Sequence, residues 1–146
     1  MLHKDCKKLE NWAPCPRPPR EAMEGRLVRV EPFEVAAHSR HLHEAFAADA
    51  EGRLWDYMAY GPFPDIASYV SHARRTMCGK DPFFHAIVVK ETGRAAGVAS
   101  YMRIAPDHGV IEVGGICYAP SLQRTAAATE AMYLMARRVF EELGYR

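Results

Sequence analysis

No run of apolar residues in the 146-residue chain approaches the ~20 that span a bilayer, so a membrane partner is not expected. Neither sign of charge dominates. With 19 basic against 18 acidic residues and a net charge of +1, nothing in the balance favours nucleic acid as a partner. Cysteine is scarce and scattered. Cys6, Cys15, Cys78 and Cys117 form no C-x-x-C pair, which removes the usual spacing of a zinc or redox site and fits reduced thiols in a cytoplasmic protein. Lys4, Lys7 and Lys8 are followed by no apolar stretch, so a signal peptide is not expected. Internal repeats are missing too. What remains is ordinary globular material: 49% of residues are apolar, enough for one domain with a core of its own.

Proline gathers near the start. Pro14, Pro16, Pro18 and Pro19, with Arg17 and Arg20 between and after them, favour an extended backbone. Residues 1–24 are therefore expected to be a Pro-rich flexible or surface-draped tail ahead of a domain at 25–146. A ligand for a proline-binding module is the functional alternative. Residues 26–31 alternate polar and apolar side chains, as a half-buried strand does, and Pro32 closes the run. Residues 34–50 read as a helix with Val35, Leu42, Ala45 and Phe46 on its inner face. The aromatic stretch at 55–64 has two readings. Trp55, Tyr57 and Tyr60 either help plug one end of the core or wall a substrate pocket. Asp65 is placed to cap a second helix reaching residue 78, with Ile66, Tyr69, Val70 and Ala73 inward. Three strands follow, at 83–89, 95–104 and 110–118. Short turns join them, which predicts an antiparallel meander.

The last of these strands runs through a tight turn at 119–125 into a long helix from about residue 126. A strand entering a helix this way makes an anion site, because the first helical N–H groups have no intrahelical partner and the helix dipole is positive there. Ala126, Ala127 and Ala128 keep side chains short where a phosphate would approach, so residues 123–129 form a candidate phosphate cradle. Within it the Thr125 hydroxyl has a second reading as a plain helix cap. The helix presents Ala128, Ala131, Met132, Met135, Val139, Phe140 and Leu143 on one face, and Gly144 fits its C-terminal stop.

Gln123, Ala126 and Ala128 fit the Gln/Arg-x-x-Gly/Ala-x-Gly/Ala signature of the GNAT N-acetyltransferase superfamily, which this chain resembles from about Gly25 onward. Residues 25–29, 60–63, 97–101 and 122–125 are similar to the branch that acetylates ribosomal-protein N-termini. The resemblance implies an α+β, GNAT-like mixed sheet: an antiparallel meander, two early helices and a cofactor-binding helix after the fourth strand. It implies acetyl-CoA as co-substrate and a primary amine as acceptor, either a peptide N-terminus or a small amine. The N–H groups from Arg124 to Ala128 would hold the pyrophosphate. The backbone at Ile116 and Tyr118 would line the pantetheine arm and the thioester carbonyl. Two departures stand out. Gly115 replaces a bulkier polar residue, often histidine, and the family's C-terminal part is expected to be lacking.

For proton transfer the candidate is Glu112. A carboxylate in an otherwise apolar strand could be buried with a raised pKa and accept an amine proton. It could equally lie on an open face, paired with a base. His38, His41 and His43 are expected on a solvated helix face rather than at a metal, and His85 and His108 in structural roles. Two functions are carried forward. The first is acetyl transfer from acetyl-CoA to an amine by direct attack. The second is a catalytically inactive CoA-binding or interaction module, whose exposed sheet edge would pair with a second copy in a homodimer.

Overall fold

Five strands, all paired antiparallel, form one sheet in chain order in the computed structural model, which describes residues 11–146. The elements are β1 (Met23–Glu24), β2 (Val28–Pro32), α1 (Val35–Ala47), α2 (Ile66–Thr76), β3 (Phe83–Val89), β4 (Arg94–Ala105), β5 (Val110–Tyr118) and α3 (Ala126–Arg137). The α+β class and the meander are as expected. The strand expected to be fourth is fifth, because a short β1 precedes it and pairs Met23 with Val30. Among the described residues no helix is long and apolar enough to cross a membrane.

Alternation along the strands sends side chains to two separate cores. Val28, Val30, Ile87 and Tyr101 pack under α3 with Ala131, Leu134 and Met135. Phe84, Ala86, Val98 and Cys117 pack under α1 and α2 with Leu42, Phe46, Tyr69 and Ala73. Both faces of β3 are therefore covered, which is why its sequence is apolar on both faces apart from the buried His85. Asp65 caps α2 as expected, accepting the Ser68 N–H at 2.7 Å. Ile66, expected inward, is instead exposed, and His72 and Met77 take the inner face.

Residues 1–10 of the expected tail lie outside the described residues. Residues 11–24 are draped over the surface and anchored at buried Cys15 and Met23. The Arg138 guanidinium donates to the carbonyls of Glu21 and Ala22, and the Tyr145 hydroxyl donates to that of Pro16. Arg138 can reach inward because α3 ends in a π turn at Arg138–Glu142. The Tyr101 hydroxyl donates to the Met135 carbonyl at 2.8 Å, at the place where the helical ladder changes step. The extra residue shifts the helical phase, so Phe140, expected on the core face, is 58% exposed while Val139 is buried.

Candidate active site

The site begins with a bulge in β5. Val98 pairs with Cys117 and Ser100 with Gly114, so Gly115 and Ile116 together oppose a single residue of β4. Gly115 has φ +58, and a Cβ there would stand 2.8 Å from the Phe84 ring. A bulkier residue at this position has no room, because Phe84 fills the space. Beyond the bulge the facing is reset: Cys117 points toward α1 and α2, and Tyr118 packs on the α3 side.

From Tyr118 the chain turns on buried Leu122, whose N–H, like that of Gln123, bonds back to the Ala119 carbonyl. Gln123 donates its side-chain amide to the Tyr118 carbonyl at 3.0 Å. Its side chain thus holds the loop rather than facing a ligand. Thr125 donates to the Leu122 carbonyl at 2.7 Å and accepts the Ala128 N–H at 3.2 Å. Ala128, expected to offer its N–H to a pyrophosphate, has therefore already given it to Thr125, as the capping alternative required. The N–H groups of Arg124, Thr125, Ala126 and Ala127 find no acceptor among the described residues. Arg124 holds φ +58, a strained setting for a side-chain-bearing residue that aims successive N–H groups outward. These groups border an open cleft of about 500 Å³ lined by Tyr118, Arg124, Thr125, Ala126, Ala128, Thr129 and Met132. The turn and the helix start fall where the sequence places them, and the Ala128 N–H is no longer among the free groups there.

Glu112 is not buried. Its side chain is 45% exposed and pairs with Arg103 at 3.2 Å, so the argument from a desolvated carboxylate falls. It lies over Gly114, whose added Cβ would be 3.4 Å from Glu112 Oε1, one residue from the bulge. The aromatic stretch divides. Trp55, Tyr60 and Phe63 pack together, with ring centroids 6.1 Å apart for Trp55–Tyr60 and 5.4 Å for Trp55–Phe63. Tyr57, expected with them, is fully exposed. His72 was not foreseen here and stacks on Tyr60 at 4.4 Å. Its position one helical turn beyond Tyr69 was the available signal. Burial lowers the His72 pKa, with Arg75 adding to the effect. Burial pushes the Tyr60 phenol up to about 12, the Cys117 thiol being the second cause, and pushes that thiol itself to about 12. A neutral buried thiol is a poor nucleophile, and Cys117 is therefore not a candidate for one.

Three more histidines, His38, His43 and His85, are held by neighbouring groups. His38 is turned inward, against expectation. Its Nδ1 accepts the Glu34 N–H and its Nε2 lies 3.1 Å from Glu31. His43 Nε2 donates to the Phe63 carbonyl. His85 is buried and its pKa falls to about 4 through burial. Among the described residues no three His, Cys, Asp or Glu side chains gather as a metal would require.

An antiparallel sheet whose edge strand bulges and then turns into a helix with N–H groups left free among the described residues defines an α+β domain with an open cleft at that helix end. The chain belongs to the acetyltransferase (GNAT) family, whose model matches residues 39–146. It is similar to a GCN5-related N-acetyltransferase from Brucella melitensis, at 37% identity and a TM-score of 0.90 over 94% of this chain and 62% of that one. A probable GNAT-family acetyltransferase from Chromobacterium violaceum is 30% identical, with a TM-score of 0.88 over 100% of this chain and 72% of that one. A ribosomal-protein-serine acetyltransferase from Vibrio cholerae shares the fold alone, at 10% identity and a TM-score of 0.67 over 87% and 71% of the two chains. The chain thus spans about three fifths of the length of the Brucella protein. No curated protein matches it.

Proposed function

We infer that this chain binds acetyl-CoA through the β5–α3 unit and serves acetyl transfer to a primary amine, either a peptide N-terminus or a small amine. The observation that carries the reading is the row of unpartnered N–H groups from Arg124 to Ala127, set among short side chains at the mouth of the cleft. Acetyl-CoA would bring an acyl thioester already activated toward amines. The residues present fit its parts. The free N–H groups and the start of α3 take the pyrophosphate. The outer backbone of β5 at Ile116 and Tyr118 has no neighbouring strand among the described residues and can pair with the amides of the pantetheine arm. Orientation along that edge, and N–H donors near the charge developing on the thioester oxygen, do most of the work in a reaction of this kind. Trp55 and Tyr60 are the proposed acceptor-side wall. Free thiols at Cys15, Cys78 and Cys117 support a reducing, cytoplasmic setting. Calorimetric titration with acetyl-CoA tests the reading. Saturable one-site binding is expected, and folded protein that takes up none would overturn it.

Glu112 is the proposed acceptor of the amine proton, through water, with Arg103 holding its carboxylate in place. Glu112→Gln should lower kcat by roughly 100-fold while leaving acetyl-CoA affinity unchanged. An unaltered rate would remove Glu112 from the chemistry. The exposed edge supports a second reading, a module that pairs with a copy of itself. Val110 is 50% and Ile116 41% exposed along β5. A dimer that Ile116→Lys converts to monomer, measured by light scattering, is the expected sign of it. A wild-type monomer at high concentration would dismiss it.

A further inference from the structure

A second cavity, of about 410 Å³, shares no residue with the cleft at the start of α3. It opens between residues 17–20, the loop after α2 and the ends of β3 and β4. Its floor is apolar, made by the buried side chains of Phe83 and Ile104, with Pro18 on one wall. Three cations, Arg17, Arg20 and Lys80, stand around it. Arg20 is already engaged, 3.7 Å from Glu34 and donating to the Phe33 carbonyl. Asp81 is the nearest carboxylate to Lys80 in sequence, but its oxygens accept the N–H groups of Arg103 and Ile104 at 3.0 and 2.9 Å. Arg17 donates only to the Lys80 carbonyl, at 3.4 Å. Neither Arg17 nor Lys80 has a carboxylate partner among the described residues.

Two cations without a carboxylate partner among the described residues, beside an apolar floor, call for a ligand with the same division. We propose that this cavity binds a small organic anion, a carboxylate carried on an aromatic or branched apolar body. Arg17 and Lys80 take the carboxylate, the arginine through its planar fork and the lysine as a point charge. Phe83 and Ile104 take the body. The volume lies within the range of small-molecule sites, and apolar lining with a few placed charges is their usual composition. The chain as a whole is nearly neutral, so selection for an anion is local to this rim.

The probe is 3-phenylpropionate, titrated into the full chain by calorimetry, with 3-phenylpropionamide and acetate as controls. Saturable binding below about 10 mM is expected for the acid, at least about tenfold tighter than for either control. Arg17→Gln and Lys80→Gln, both at exposed positions, should each weaken it about tenfold with the melting temperature unchanged. Cys78 lines the cavity as an exposed residue whose thiol makes only a long, 3.6 Å contact to the Ala73 carbonyl, so saturating probe should slow its alkylation, read by peptide mapping. The proposal is overturned by any of four results: no binding in this range, equal binding of acid and amide, affinity untouched by both substitutions, or unchanged alkylation of Cys78. Acetyl-CoA titrated into the same samples reports on the other cleft, so failure at one site is separable from failure at the other.

Discussion

Ala126→Glu is expected to abolish acetyl-CoA binding, weakening it by roughly 100-fold or more, while the protein stays as stable as before or becomes slightly more so. Ala126 is the first residue of α3, exposed and lining the cleft. A carboxylate there would face the free N–H groups of the loop and occupy the place of a phosphate. It would also repel whatever phosphate remained. Two unit charges about 4 Å apart interact by about 4 kcal/mol near a protein surface, before screening, which is enough for the stated loss. The same charge is favourable for folding. The first turn of α3 now has no acidic residue, and one placed there is worth about 0.3–1 kcal/mol through the helix dipole. Binding and stability therefore move in opposite directions, which a merely disruptive mutation would not do. Ala126→Lys is the mirror control, retaining binding at a small cost in melting temperature. If Ala126→Glu binds acetyl-CoA like the parent chain, the cofactor does not sit at this helix end.

Strand limits were legible where the code is local. Residues 83–89 and 110–118 are mainly apolar stretches closed by turn residues, and the structure keeps both sets of bounds. The start of α3 was legible for the same reason: a threonine followed by three alanines marks a helix N-terminus with little bulk. What escaped depends on contacts distant in sequence. β1 has two residues and no period to read. It forms because Met23 fills space beside α3 and because Arg138, 117 and 116 positions away, holds the carbonyls of Glu21 and Ala22. Alternation correctly sets Glu112 opposite to Ile111 and Val113. It does not say whether the other face is covered at that end of the sheet, and there it is open. Aromatic density drew Tyr57 into the pocket, yet the single turn at Arg53–Trp55 rotates it out to solvent. Nor does composition reveal that Gln123 and Thr125 bind the loop itself, since both residue types also suit a ligand.

Glu130→Ala should cause the largest loss of stability among the exposed or half-buried polar positions, about 3 kcal/mol, or roughly a 10 °C fall in melting temperature. One turn into α3, the Glu130 carboxylate accepts the N–H groups of Arg26, Leu27 and Val28 at 2.9, 2.6 and 2.9 Å. It thereby ties the turn between β1 and β2 to the helix. Gly25 is required for the same reason, since a Cβ there would stand 2.5 Å from Glu130 Oε2. Burial alone would raise the pKa of this carboxyl. The three N–H bonds and the Arg26 charge outweigh it and hold the pKa below 4.5. A depressed folded value contributes stability that is complete above the unfolded pKa and disappears as pH falls through the folded one. The gap between the parent chain and Glu130→Gln should therefore be constant from neutral pH to about 5 and narrow below about 4.5. A gap that stays constant to pH 3 would mean that shape rather than charge makes the latch. The tie also bears on the cleft, because Glu130 fixes the helix whose first turn supplies the free N–H groups. Glu130→Ala should thus weaken acetyl-CoA binding several-fold even where the protein remains folded, an effect that Ala126→Glu reaches by charge and this variant reaches by loosening the helix.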